Sequence, residues 1–277
     1  MTETPAPKTK NEPNRNPRRD SPRLSSVTTA IHLLKAFDIE DEDLGISELA
    51  KRLGVAKSTV HRLASALLSE GLLQQNPANG RYSLGIGLFT LGSLVRSRLD
   101  VTKESRALMN SLRETTGENV RLAVLERQNV VILHDLESPQ TLRLRSATGQ
   151  LRPAYCSAEG LCLLSGLREA EFQKFLTYPR PKRLANTPVS EEQMKLAVRK
   201  VKRFGYAVED EICDEGTRGV AAPIYNGDGR IIAAIGVAGP RLRIRKSMFS
   251  KLAQTVVATS DEIAERLGYR GRQRIYI

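Results

Sequence analysis

Residues 46–84 of this 277-residue chain read ISELAKRLGVAKSTVHRLASALLSEGLLQQNPANGRYSL. Ile46, Leu49, Ala50 and Leu53 recur at helical spacing, with Ser47 as a cap and Gly54 suited to the left-handed residue that ends a helix. After a turn through Val55 and Ala56, the spacing predicts a second helix that buries Val60, Leu63, Ala64 and Leu67. Its other face is polar, with Ser58, His61, Arg62, Ser65 and Ser69, and Lys57 and Thr59 stand at its N-terminal end. Short hydroxyls approach phosphates closely, while arginine and histidine reach phosphate oxygens or purine edges, so this face fits a major groove.

Upstream, Val27, Ala30, Ile31, Leu34 and Phe37 form the expected apolar stripe of a preceding helix, capped by Ser25 or Ser26. Downstream, Leu72 to Gln75 and Arg81 to Leu84 flank Asn79-Gly80, a pair suited to a hairpin turn, with Arg81 expected on a wing beside the DNA backbone. Residues 23–84 are therefore predicted to be a winged helix-turn-helix, with Lys57, Ser58, Thr59, His61, Arg62, Ser65 and Arg81 facing DNA. The spacings alone also allow a three-helix bundle whose polar face is merely solvated.

The chain carries 43 Lys and Arg against 31 Asp and Glu, a formal net charge of +12 that favours a polyanionic partner. Its hydrophobic content of 40% supports two packed domains. Residues 1–22, rich in Pro, Asn, Lys and Arg, read as a disordered basic arm, and a second basic stretch closes the chain with Arg270, Arg272 and Arg274. No apolar run is long enough to span a bilayer and the N-terminus lacks an apolar core of the secretory kind, so a cytoplasmic protein is expected. Cys156, Cys162 and Cys213 lack metal or redox spacing and read as buried, idle thiols. With three histidines, no HExxH and no GxSxG, no metal, cofactor or catalytic set is expected.

Beyond the wing, residues 85–103 read as a linker helix containing Ile86, Phe89, Leu94 and Val95, followed by a helical stretch from about Val101 to Thr116; both are candidates for pairing protomers. The period then switches to that of strands at Val120 to Leu125, Val130 to Asp135, and a third in which Leu142 and Leu144 alternate with Arg143 and Arg145. A helix starts at the capping box of Ser190 to Gln193, buries Met194, Ala197, Val198 and Val201, and stops at Gly205. Two strands, Val220 to Tyr225 and Arg230 to Ala238, flank Asn226-Gly227-Asp228-Gly229, and a last helix uses Phe249, Leu252, Val256, Ile263 and Leu267. Residues 104–277 are thus expected to form an α+β domain around a mostly antiparallel sheet able to hold a small molecule.

The winged motif, with SVTTAIHLLKAF, RPAYCSAEGLCLL and GYAVEDEICDEGTRGVAAPIYNGDGRIIAAIGVAGP in that order, resembles the IclR family of bacterial transcription regulators over nearly everything after the arm. The resemblance implies a GAF-like effector-binding domain, dimers or dimers of dimers, and control of transcription by a small metabolite, often an organic or aromatic acid. Carried over position by position, it implies an effector site that includes Ala158, Glu159, Gly160, Glu209, Gly219, Gly236 and Ala238. This chain departs from the family pattern with Tyr155 where His is common, Leu161 where Lys is common, Gly219 where Cys is frequent, and Gly236 and Ala238 where Ser is frequent. Loss of the two hydroxyls removes donors for a carboxylate, and the smaller residues are expected to enlarge the cavity.

The reading that results is a non-enzymatic regulator whose binding to a near-palindromic operator is set by an effector. Two alternatives stand beside it: a winged-helix module that docks proteins without specific DNA binding, and an enzyme with an appended winged helix. Arg143 and Arg145 would meet either an effector carboxylate, solvent or internal ion partners.

Overall fold

The computed structural model describes residues 26–38, 43–97 and 100–271. The basic arm, the Ser25 cap and the terminal Arg272 and Arg274 lie outside the described residues. The chain divides into two compact units between Val95 and Arg96.

In the first unit, α1 (Ser26–Leu34), α2 (Ile46–Leu53) and α3 (Lys57–Ser69) precede the wing strands β1 (Leu73–Gln75) and β2 (Tyr82–Leu84), and α4 (Ile86–Ser97) follows. Leu33, Leu49, Val60, Ala64, Leu73 and Tyr82 make its core. Gly54 takes the left-handed conformation at φ 64° and ends α2 as expected. Three expectations need correction. Ser47 lies inside α2; the cap position is Gly45, and Glu48 satisfies the Gly45 N–H at 2.8 Å. The stripe of α1 is broader and only partly as read: Ala30, Leu34 and Phe37 pack against the core beside the buried Thr29 and Leu33, while Val27 and Ile31 are exposed. The wing turn spans Asn76 to Arg81, with Gly80 left-handed and the Asn76 and Asn79 side chains accepting from the backbone two residues on, so Asn79-Gly80 ends a longer loop. Leu44 also bridges to Tyr82, which anchors the wing to the segment before α2.

The second unit opens with α5 (Asp100–Thr116), so helix 85–103 is two helices, α4 and the start of α5. Strands β3 (Asn119–Glu126), β4 (Asn129–Leu136), β5 (Leu151–Pro153), β6 (Ala207–Asp210), β7 (Thr217–Tyr225) and β8 (Ile231–Pro240) form a sheet in the order β5-β4-β3-β8-β7-β6. Every pairing in it is antiparallel. Between β5 and β6 the chain makes α6 (Ala158–Ser165), α7 (Glu169–Leu176) and α8 (Glu191–Phe204), and α9 (Phe249–Arg266) closes it. The capping box holds as read: Ser190 Oγ accepts from the Gln193 N–H at 3.1 Å, the Gln193 side chain returns the bond at 3.0 Å, and Gly205 at φ 82° ends α8.

The sheet separates two cores. On one face, Val120, Leu122, Ile224, Ile235 and Val237 pack with α5 and α9; on the other, Ala123, Ala221 and Ala234 pack beneath α6. The strand expected around Leu142 to Arg145 is absent. The segment lacks a sheet partner, since the free edge of β4 is taken by Leu151 to Pro153, and polar groups hold it instead: Asn119 Nδ2 donates to the Leu144 carbonyl, and Arg143 pairs with Glu137 at 2.8 Å. Arg143 thus meets an internal ion partner.

Candidate nucleic-acid interface and effector site

Burying Val60, Leu63, Ala64 and Leu67 turns the opposite side of α3 outward, so Lys57, Ser58, His61, Arg62 and Ser65 are exposed along one face and Thr59 is half-buried. Lys57, His61 and Arg62 have no ion-pair partner among the described residues. Ala56 at the cap position supplies no side-chain acceptor, and the first turn holds no acidic residue. The Thr59 N–H donates to the Ala56 carbonyl at 3.0 Å, so it is the Lys57 and Ser58 amides that keep their donors, with the positive end of the helix dipole, for an external anion such as phosphate.

Arg81 lies on the wing, directly before β2, and its guanidinium also bonds inward. Its Nη2 donates to the Asp43 carbonyl and to Glu48 Oε2, both at 2.8 Å, and its Nε reaches the same carbonyl at 3.3 Å. These bonds tie the wing to the start of α2, so the guanidinium braces the domain.

In the second unit the sheet register assembles the effector candidates. Asn119, Ala238, Gly219 and Glu209 lie on one rung of β3-β8-β7-β6, and Arg121, Gly236, Ala221 and Ala207 lie two residues further on. Both rungs face α6, where side chains two apart share a side. A bulge in β3/β4 between Leu122 and Ala123 shifts the parity of β4, which brings Asp135 to the same face, and Asp135 Oδ2 accepts from Arg121 Nε at 3.0 Å. Asp135 Oδ1 accepts from Asn119 at 3.0 Å.

Above this floor, Ser157 Oγ caps α6 by accepting from the Gly160 N–H at 3.1 Å. Glu159, 3% exposed, descends from the first turn onto Gly236, where an added Cβ would sit 2.8 Å from its Oε1. The space freed by Gly236 is thus filled by the Glu159 carboxylate, and at Gly219 a Cβ would lie 2.5 Å from the Val237 carbonyl oxygen. Small residues here admit the protein's own groups, which corrects the expectation of an enlarged cavity. Gly160 allows the close approach of α6 to the Ala154 backbone, and Ala158 belongs to the apolar cluster.

Two further residues were missed. Arg121 was hidden in an apolar strand, although the Asn119-Arg121 alternation marks one polar face. Arg152, on edge strand β5, lies with its Nη2 3.6 Å from Glu209 Oε1 and 2.5 Å from Asp214 Oδ2. Glu209 is fully buried, and burial pushes its pKa up to about 8; Glu159 adds to the rise, and Arg152 and Arg121 offset only part of it. Arg152 is itself held more firmly protonated than usual, since the carboxylates Glu209, Asp214 and Glu159 outweigh the cost of its burial. Arg121 Nη1 and Glu209 Oε1 are both buried without a hydrogen bond. The site therefore offers one unused donor and one unused acceptor on a floor of Gly and Ala. A separate, mostly apolar cavity of about 490 Å³ runs between α8 and β6, lined by Leu161, Leu196, Val201, Phe204 and Ile212 among others; none of the effector candidates lines it.

No described helix is long and apolar enough to cross a membrane, and no described group of His, Cys, Asp and Glu could hold a metal ion. A winged helix-turn-helix with an unengaged basic face, in one chain with an α+β domain enclosing a charged cluster, defines a DNA-binding transcriptional regulator. The IclR helix-turn-helix domain matches residues 26–77, and the C-terminal domain of the bacterial transcriptional regulator IclR matches residues 94–265. The chain belongs to the IclR family. It is 28% identical to the HTH-type transcriptional regulator XynR of Escherichia coli (strain K12), over 90% of this chain and 99% of that protein. It is 31% identical to the glycerol operon regulatory protein of Streptomyces coelicolor, over 78% of this chain and 85% of that one. The fold is shared with an IclR homologue from Microbacterium hydrocarbonoxydans crystallised with 4-hydroxybenzoate, at a TM-score of 0.77 and 22% identity over 88% of this chain and 99% of the other.

Proposed function

We propose that this regulator binds a near-palindromic operator as a dimer or dimer of dimers in the cytoplasm, with α3 in the major groove, and that a small molecule held between α6 and the sheet sets its occupancy. The observation that carries the DNA reading is the exposed face of Lys57, Ser58, His61, Arg62 and Ser65 at an uncapped helix start. Thr59 flanks that face, half-buried. Dimerisation is supported by apolar side chains turned to solvent in the first unit: Val27 and Ile31 on α1, and Ile86, Phe89, Leu91 and Leu94 on α4.

For the effector, the relative bound to 4-hydroxybenzoate supports an organic or aromatic ligand in this fold. The residues of this chain narrow the choice. Glu159 under α6 favours a ligand that donates a hydrogen bond, and Glu209, whose carboxyl burial keeps protonated up to about pH 8, can donate as well as accept. The ligand contacts proposed are Glu159, Glu209 and Arg121, with Gly219, Gly236 and Ala238 as the floor and Ala158 and Gly160 shaping the helix above it. Recovery of genomic fragments bound by the full chain tests the reading: inverted half-sites about one helical turn apart are expected, and fragments without common half-sites would overturn it. Light scattering checks the assembly, where Phe89→Glu is expected to shift the particle towards monomer.

A further inference from the structure

Cys156 ends the turn that follows edge strand β5, and Cys213 lies in the loop that follows the opposite edge strand β6. Their sulfurs are 3.0 Å apart, closer than two sulfur atoms in ordinary contact, although 57 residues separate them in sequence. Cys156 is fully buried, Cys213 keeps 7% of its surface exposed, and both are free thiols. The third cysteine, Cys162, is buried on α6 with its sulfur directed at the Ala221 carbonyl.

We propose that Cys156 and Cys213 are a reversible oxidation site, closing to an intrachain disulfide when the protein meets a hydroperoxide. The less deeply buried member, Cys213, reacts first. The Cys213 thiolate attacks the terminal oxygen of the hydroperoxide; an S–O bond forms, the O–O bond breaks, and the alcohol (water, from hydrogen peroxide) leaves after taking a proton. The Cys156 sulfur then attacks the sulfenic sulfur, the S–S bond forms, and the sulfenic oxygen departs as water with the Cys156 proton. Two thiols are oxidised by two electrons and one hydroperoxide is reduced; a dithiol reverses the step by exchange.

The surroundings favour this order. A hydrogen bond from Cys156 holds the Cys213 thiol down to about 6, and Arg152 acts in the same direction against the burial that opposes it. Arg183 is a second cation beside the pair. The bridge would also have a structural consequence, because Arg152, Glu209 and Asp214 join the same two edges of the sheet and Ser157, the cap of α6, follows Cys156 directly. Oxidation would lock that junction covalently at the rim of the effector site. The chemistry stands independently of the effector reading.

The test uses the full-length protein, reduced and then treated with hydrogen peroxide, followed by denaturing alkylation and peptide mapping. Reduced protein is expected to take label on all three cysteines; oxidised protein is expected to take label on Cys162 alone, with an intact mass lower by about 2 Da and full recovery in dithiothreitol. Cys156→Ser is expected to stop at a sulfenic acid on Cys213 that dimedone traps. The proposal is overturned if the treated wild type keeps three reactive thiols, if Cys162 enters the bridge, if the disulfide joins two chains on a non-reducing gel, or if Cys213 passes to sulfinic acid without a bridge.

Discussion

The Arg152 guanidinium lies 3.6 Å from the Glu209 carboxylate, although the two residues stand on opposite edge strands of a six-stranded sheet. With neighbouring strands about 4.8 Å apart, a flat sheet would hold those edges roughly 24 Å from each other. The sheet is therefore curled until its edges meet, and Arg152, with Asp214 as a second partner, clasps them over the polar cluster beneath α6.

Burial of Glu209 makes the clasp sensitive to pH. Its pKa in the folded protein is raised to about 8 from an ordinary value of 4.5, so the stabilisation linked to it is complete below the ordinary value and is lost as pH rises through 8. Glu209→Gln, which keeps the neutral form at every pH, is expected to gain thermal midpoint relative to wild type between about pH 5 and about pH 9. A difference that stays constant or shrinks with rising pH would show that the carboxylate is not destabilised by its surroundings.

Gly236 and Glu159 compete for the same space. Gly236→Ala is expected to cost about 1–3 kcal/mol in denaturant unfolding through overpacking against the carboxylate. In a Glu159→Ala background the cost should be clearly smaller, because the clashing atom 2.8 Å from the new methyl has gone. Strict additivity of the two changes would place the strain elsewhere, at Ala221, whose Cβ is 3.1 Å away.

Arg81 and Arg62 should separate stability from DNA binding. Removing the Arg81 side chain leaves the Asp43 carbonyl and Glu48 without their donor, and Arg81→Ala is expected to destabilise the first unit by about 1 kcal/mol, discounted for partial exposure. Arg62→Ala touches no internal partner and should leave the melting curve unchanged. Equal melting curves for both variants would contradict the bracing role.

The parts legible in the sequence are those set by short-range chemistry. The α2-turn-α3 unit, the capping box at Ser190 and Gln193, and the Asn226 to Gly229 hairpin each depend on residues within a few positions of one another. The alternation of Leu142 to Arg145 mimics a strand because the pattern cannot show that Leu151 to Pro153 already occupies the edge of β4. On α1 the period places Ala30, Leu34 and Phe37 against the core, but it cannot show that Val27 and Ile31 at the same spacing face away from the core of their own unit. The family resemblance located Glu159, Glu209 and the floor residues. Arg152 and the Cys156–Cys213 pair stayed hidden because only the curl of the sheet brings their segments together.

We assign the reading of DNA to the exposed face of α3. That role is tested most directly by fluorescence anisotropy of wild type and Arg62→Ala on a fragment recovered from genomic selection and on a scrambled control, across a salt series. The wild type is expected to prefer the selected fragment at every salt, with affinity falling as salt rises, and Arg62→Ala is expected to lose at least about tenfold on that fragment at matched salt if the arginine makes a base contact. An Arg62→Ala protein that melts normally and binds the selected fragment as tightly as wild type would contradict the assignment of this face.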